Sequence, residues 1–262
     1  MPVSQNYRRT NKDEVKISLI LQKEFKKQKA FLEEHLERLV SQVYNINQSF
    51  AYLQEERKRV DPLEEFWDEM GLDEMIKKVI PVIKKVVEKG WRRSYRKFKP
   101  KFEKFWIEYS QDFIRDYASQ FAEIQLSDYK GSIKATTKLD IVKTIKEWLD
   151  NNSTYTEIQQ EITKVSETLF DPARAKMIAC TEIWRAYEYG NYYPVQQLKT
   201  FWVQFKKKRS TVQDLKVRPA HTANEDEGRV PEEHIYSATW TPICWMGTDG
   251  INCRCTMLYE IF

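Results

Sequence analysis

Glycine is scarce in this chain, at 7 of 262 residues. Folds that spend glycine on phosphate loops and tight strand turns are therefore disfavoured: dinucleotide-binding sheets, P-loops and long β-sandwiches. No run approaches the roughly 18 consecutive apolar residues of a membrane-spanning helix. Met1 to Asp13 is polar and lacks the apolar block of a secretory leader, so a cytoplasm is the expected place of synthesis. Histidine occurs three times and cysteine four, as Cys180, Cys244, Cys253 and Cys255. Without a leader these thiols are not read as a disulfide framework. H-E-x-x-H, G-x-S-x-G and kinase-type signatures are missing, and no internal repeat is apparent.

What is present is apolar and charged. Hydrophobic residues make up 41% and aromatics 13% of the residues in this 31.5 kDa chain, enough for a real core. The net charge of +4 hides an uneven distribution. Residues 77–104 carry a local +10 on a body of −6, which points to a polyanionic or acidic partner for that block.

Three regions are expected: a helical arm over 1–100, a helical domain over 101–198, and a small β-rich module over 199–262 packed on the 172–189 helix. In the arm, Leu32, Leu36, Leu39, Val43, Ile46, Phe50 and Leu53 alternate at spacings of four and three, the seam of a coiled coil. The seam packs either on the chain's own next helix or on another chain. Asp61-Pro62 starts a short helix closed by Gly71. Asp73 opens another, kinked or broken at Pro81 and ended near Gly90. Phe102, Phe105, Trp106, Tyr109, Phe113, Tyr117 and Phe121 read as one buried helical stripe over 101–126. A turn is expected at Asp128–Ser132, with Thr137 capping the next helix. Thr154 and Glu157 form a capping box. Asp171-Pro172 starts a helix that Gly190 ends. Strands are expected at Thr200–Phe205, Ser237–Trp240 and Thr256–Phe262. The fold class is mainly α, a helical arm and bundle followed by a small C-terminal α+β module.

Few residues invite chemistry. Arg92, Arg93, Arg96, Lys97, Lys99 and Lys101 interleave with aromatics, as in surfaces that hold phosphates; a solvated basic helix face is the plainer reading. His221 or His234 with Cys244, Cys253 and Cys255 could supply the Cys3His set of a structural zinc, or the thiols are simply small buried side chains. Cys180 reads as core. Asp214 with Lys216, and Glu182 with His221, are the elements of a metal-dependent nucleic-acid-processing enzyme. The plainer role for Glu182 is a buried salt bridge with Arg218.

The ordered set Arg174-Ala175, Ile178-Ala179, Thr181-Glu182, Ala186, Gly190, Trp202, Asp214, Val217-Arg218, His221, Gly228-Arg229-Val230, Pro242 and Asn252-Cys253-Arg254-Cys255 resembles the minor head protein, or head morphogenesis, family of tailed bacteriophages, typified by the F protein of phage Mu. The likeness covers about residues 105–262. Two stretches depart from the family's pattern: the acidic run Thr222–Glu227 between the histidine and its glycine, and the basic Lys206–Arg209. The resemblance implies a minor capsid component of the virion, assembled in a bacterial cytoplasm and seated at the portal vertex. Its implied partners are the portal protein, other head proteins and packaged double-stranded DNA, and no enzymatic step is implied. Carried over, Thr181, Glu182, Arg218, His221, Cys253 and Cys255 would hold the terminal module together, with or without zinc.

Overall fold

A computed structural model describes residues 3–50, 63–151, 153–211, 217–238, 251 and 253–262. Among them the chain forms eight helices: α1 (Val3–Glu34), α2 (Leu36–Phe50), α3 (Glu64–Glu69), α4 (Leu72–Lys104), α5 (Gln111–Asp150), α6 (Tyr155–Leu169), α7 (Pro172–Lys199) and α8 (Pro219–Asp226). Three strands join them: β1 (Phe205–Ser210), β2 (Val230–Pro231) and β3 (Thr256–Ile261). This is the mainly helical body with a small terminal α+β module that the sequence predicts. Among the described residues no helix is long and apolar enough to cross a membrane.

Two compact units result, both discontinuous in sequence. The first gathers Met1–Ser18, Ile80–Ile124 and Lys176–Phe262; the second gathers Leu19–Val79 and Gln125–Ala175. The boundary expected near 100 falls inside α4, and the one expected at 198 coincides with the end of α7 at Lys199.

In the second unit, Leu32, Leu36, Leu39 and Val43 are buried within the chain itself. Phe31 rests on Phe66 at 5.3 Å, and Arg38 pairs with Glu69 at 2.8 Å. The remainder of the stripe, the side chains of Ile46 and Phe50 and the whole of Leu53, lies outside the described residues, as does Asp61-Pro62. The capping box forms as expected: Glu157 N–H donates to Thr154 Oγ1, and Thr154 N–H donates to the Glu157 carboxylate. The turn expected at 128–132 and the cap at Thr137 do not exist, because α5 is continuous through both. One internal glycine costs a helix only about 1 kcal/mol relative to alanine, whereas a break creates two new ends of unsatisfied backbone groups.

In the first unit, α4 and α7 meet backbone to backbone. A Cβ built on Gly90 would stand 2.1 Å from the Tyr187 carbonyl oxygen, and one on Gly190 would stand 2.1 Å from that of Val87. Both glycines were expected to end helices, and both sit in mid-helix. Pro81 likewise fails to break α4, which also contains Pro100. The buried flank Val79, Val82, Ile83, Val86 and Val87 outweighs one lost backbone hydrogen bond. Past the crossing, each helix closes on a tryptophan in the left-handed region, Trp106 (φ 57°) and Trp202 (φ 63°). Ile107 N–H donates to Phe102 O at 3.0 Å and Val203 N–H to Leu198 O at 3.3 Å, the closing bonds of such an end. The helical stripe expected over 101–126 therefore breaks here, leaving Trp106 93% exposed.

The sheet has the order β2-β1-β3 and is antiparallel throughout, with Phe205 opposite Ile261 and Ser210 opposite Thr256. Phe205, Met257 and Tyr259 pack with Phe98 and Phe102 of α4 and Val195 and Leu198 of α7. β3 falls where expected. β1 instead lies just beyond Thr200–Phe205, on the basic run, burying Lys207 and Arg209 beside Tyr236. Charge hid its period of two. Ser237 sits in a turn, bonded through N–H and hydroxyl to Glu227, and Thr239 and Trp240 lie outside the described residues.

Candidate metal centre

α8 begins at Pro219, a residue suited to a first helical turn, after Arg218 in extended conformation. The short helix points His221 inward, where it is 2% exposed. The chain running into β3 brings up Cys253 and Cys255, both buried free thiols. His221 Nδ1 lies 3.6 Å from Cys253 Sγ and 3.4 Å from Cys255 Sγ. The three ligand atoms lie within 4.8 Å of one another, so the group could hold a metal ion. Around a tetrahedral zinc, with Zn–N and Zn–S bonds of about 2.0 and 2.3 Å, a nitrogen and a sulfur stand about 3.5 Å apart. Both observed separations match that edge.

Electrostatics favour a thiolate. The Cys255 thiol donates to Cys253 and holds it well below the usual thiol range; burial opposes this, while His221 and the Cys255 N–H assist. Deprotonated sulfur is the form a metal takes. His221 Nε2 has no hydrogen-bond partner among the described residues, so the ring's polar contacts all lie on its Nδ1 side. Among those residues no fourth His, Cys or carboxylate joins the group. Cys244, Asp214, Lys216, Pro242 and Asn252 lie outside them. His234 is occupied elsewhere, 2.7 Å from Glu227.

Two glutamates brace the thiol strand, and neither stood out in the sequence. Glu188 of α7 is fully enclosed, accepting from Thr256 Oγ1, from Met257 N–H at 3.0 Å and from Asn191 at 3.4 Å. Burial pushes its carboxyl up to about 7. Glu14 of α1 accepts from Trp184 Nε1 at 2.8 Å and faces Arg254, the residue between the thiols, at 3.5 Å. A signal for Glu188 did exist: with Trp184, Asn191 and Val195 it shares one helical face, a carboxylate on a mostly apolar stripe.

The other expected residues stand apart from this group. Thr181 donates to Met177 O within its own helix, at 2.9 Å. Glu182 is buried and pairs with Arg185 at 3.2 Å, correcting the expected partner Arg218, which donates instead to Ile251 O at 2.7 Å. A residue one helical turn away reaches Glu182 at little conformational cost. Glu182 does not belong to the His221 group. Trp202 is exposed. Of the basic set, Arg92 pairs with Glu88 and Lys99 with Glu103. Arg93 donates to Tyr187 Oη and Lys97 to Tyr259 O. Arg96 is exposed and Lys101 partly so.

Burial raises Glu182 from 4.5 to about 7, against the pull of Arg185. Its protonated form therefore favours the folded state, and that contribution is lost as pH rises from about 4.5 through about 7. Glu182→Gln will flatten the decline across this window, a difference on the order of 3 kcal/mol. Urea midpoints of both proteins on either side of the window measure it; parallel pH profiles would refute it.

No family model and no solved structure matches the chain. A stretch of 79 residues, 30% of this chain, is 38% identical to part of dihydropteroate synthase type-3 of Escherichia coli. The match spans 28% of that enzyme's length.

Proposed function

We propose that this chain is a structural minor head protein of a tailed phage, a virion component at the portal vertex, whose terminal module is fastened by zinc on His221, Cys253 and Cys255. The observation that carries the reading is the meeting of His221 with a Cys-x-Cys pair more than thirty residues away. These are two pieces of the ordered motif set that resembles the head morphogenesis family. A buried N/S/S donor group with tetrahedral edge lengths suits zinc, which is redox-inert and gains most from closed, structural sites. The site chemistry is that of a fastening. The ion would join α8 to the start of β3, Glu188 would join β3 to α7, and Arg254 would join the thiol strand to Glu14.

The portal protein and other head proteins are the proposed partners, with packaged double-stranded DNA meeting the exposed cations of α4. The enzyme alternative has less behind it, since Glu182 is held by Arg185 rather than by His221. A match spanning 28% of a dihydropteroate synthase does not carry that activity to this chain.

Mass spectrometry of purified virions is the test. The chain is expected there in far fewer copies than the major capsid protein, and it should co-purify with the portal. Virions without it would end the proposal.

A further inference from the structure

We propose that the pocket between α4 and β3 in the first unit is a binding site for a phosphate group, held by Arg93 and Lys97. The pocket is about 60 Å³, lined by Arg93, Ser94 and Lys97 of α4, Asn191 of α7 and the Met257–Tyr259 stretch of β3. A pocket of this size has room for several waters or for one tetrahedral anion.

Arg93 and Lys97 are four residues apart, so they project from one face of the helix. Among the described residues Arg93 and Lys97 feel Glu188 and Glu260 only through space, whereas their neighbours Arg92 and Lys99 form direct ion pairs. Arg93 Nη1 donates to Tyr187 Oη at 2.8 Å, and the Lys97 ammonium donates to the Tyr259 carbonyl while much of its side chain stays in solvent. A guanidinium has five N–H donors and an ammonium three, so each cation retains donors after these neutral contacts. The nearby acids are engaged. Glu260 is bound twice by Arg229, at 2.7 and 3.0 Å, and Glu188 is enclosed by its own donors. Burial lowers Lys97, and the positive charges of Arg93 and Arg229 lower it further, against Glu260. A multiply charged oxyanion relieves such crowding, and a planar fork beside a point charge fits tetrahedral oxygens.

Two sources offer this chemistry, free phosphate and the backbone of duplex DNA. Calorimetry on the full chain with inorganic phosphate, repeated with a short duplex as competitor, separates them. Saturable phosphate binding is expected. Lys97→Gln and Arg93→Gln should each weaken it about tenfold or more, and Lys164→Gln on α6 should leave it unchanged. Displacement by the duplex assigns the site to the DNA backbone, and its failure assigns the site to free phosphate. Absence of saturable binding in the unaltered chain overturns the proposal whatever the variants do, as does equal weakening by Lys164→Gln. The site stands independently of the head-protein reading, which virion content decides.

Discussion

Metal analysis of the full chain, purified without chelator, will return one zinc per chain, and His221→Ala, Cys253→Ser and Cys255→Ser will each abolish it. Cys180→Ser will not, because that thiol is buried in α7 and pushed up to about 12 by burial, far from a ligating state. Chelation removes a cross-link between α8 and the approach to β3, in a module built on short strands and one compact aromatic cluster. Zinc binding in small domains is worth about 10–16 kcal/mol in folding free energy. Here the cluster of Phe205, Met257 and Tyr259 on α4 and α7 persists without metal, so the loss should be smaller, at least about 3 kcal/mol. For a chain of this size that corresponds to a fall of about 10 °C in melting temperature. Protease sensitivity in chelator should rise first within 217–238. A zinc ratio near zero, with melting unchanged in chelator, rejects the metal centre.

The candidate metal centre was partly legible because its residue types are chemically narrow: few side chains other than His and Cys invite that reading, and all three candidate donors were named from sequence. Its second layer was not. Glu14 lies some 240 residues from Arg254, and nothing local links them. Glu188 was overshadowed by Glu182, the glutamate of the Thr-Glu motif, although Glu188 is the one that grips β3. In the fold, signals that need only a few neighbouring residues held: the capping box at Thr154 and the proline start at Pro172. Signals that depend on what packs against the element failed. Gly90, Gly190 and Pro81 punctuate a helix in isolation, but burial along α4 and α7 overrides them. β1 escaped notice because its inward positions are Phe205, Lys207 and Arg209, and alternation between cation and cation carries no hydropathy contrast.

Gly90→Ala and Gly190→Ala will each destabilise the chain by about 2 kcal/mol or more, the opposite sign to that expected from helix propensity. Alanine in mid-helix gains about 1 kcal/mol over glycine when nothing opposes it. Here the added methyl would meet a backbone carbonyl oxygen at 2.1 Å on the facing helix, at both positions. A carbonyl within a helix cannot rotate aside as a lysine tip would, so α4 and α7 must separate. Overpacking of a close-packed interior costs about 1–3 kcal/mol and more where backbone has to move. Separation also strains contacts that share the same two helices: Arg93 with Tyr187 at 2.8 Å, and the seat of Phe98 and Phe102 beneath the sheet. The two substitutions should therefore be non-additive. Once one methyl has pushed the helices apart, the second finds room, and the double variant should lose clearly less than the sum of the singles. Chemical denaturation of the four proteins tests both points. Stabilisation by either alanine, or strict additivity, would show that the helices do not touch at these glycines.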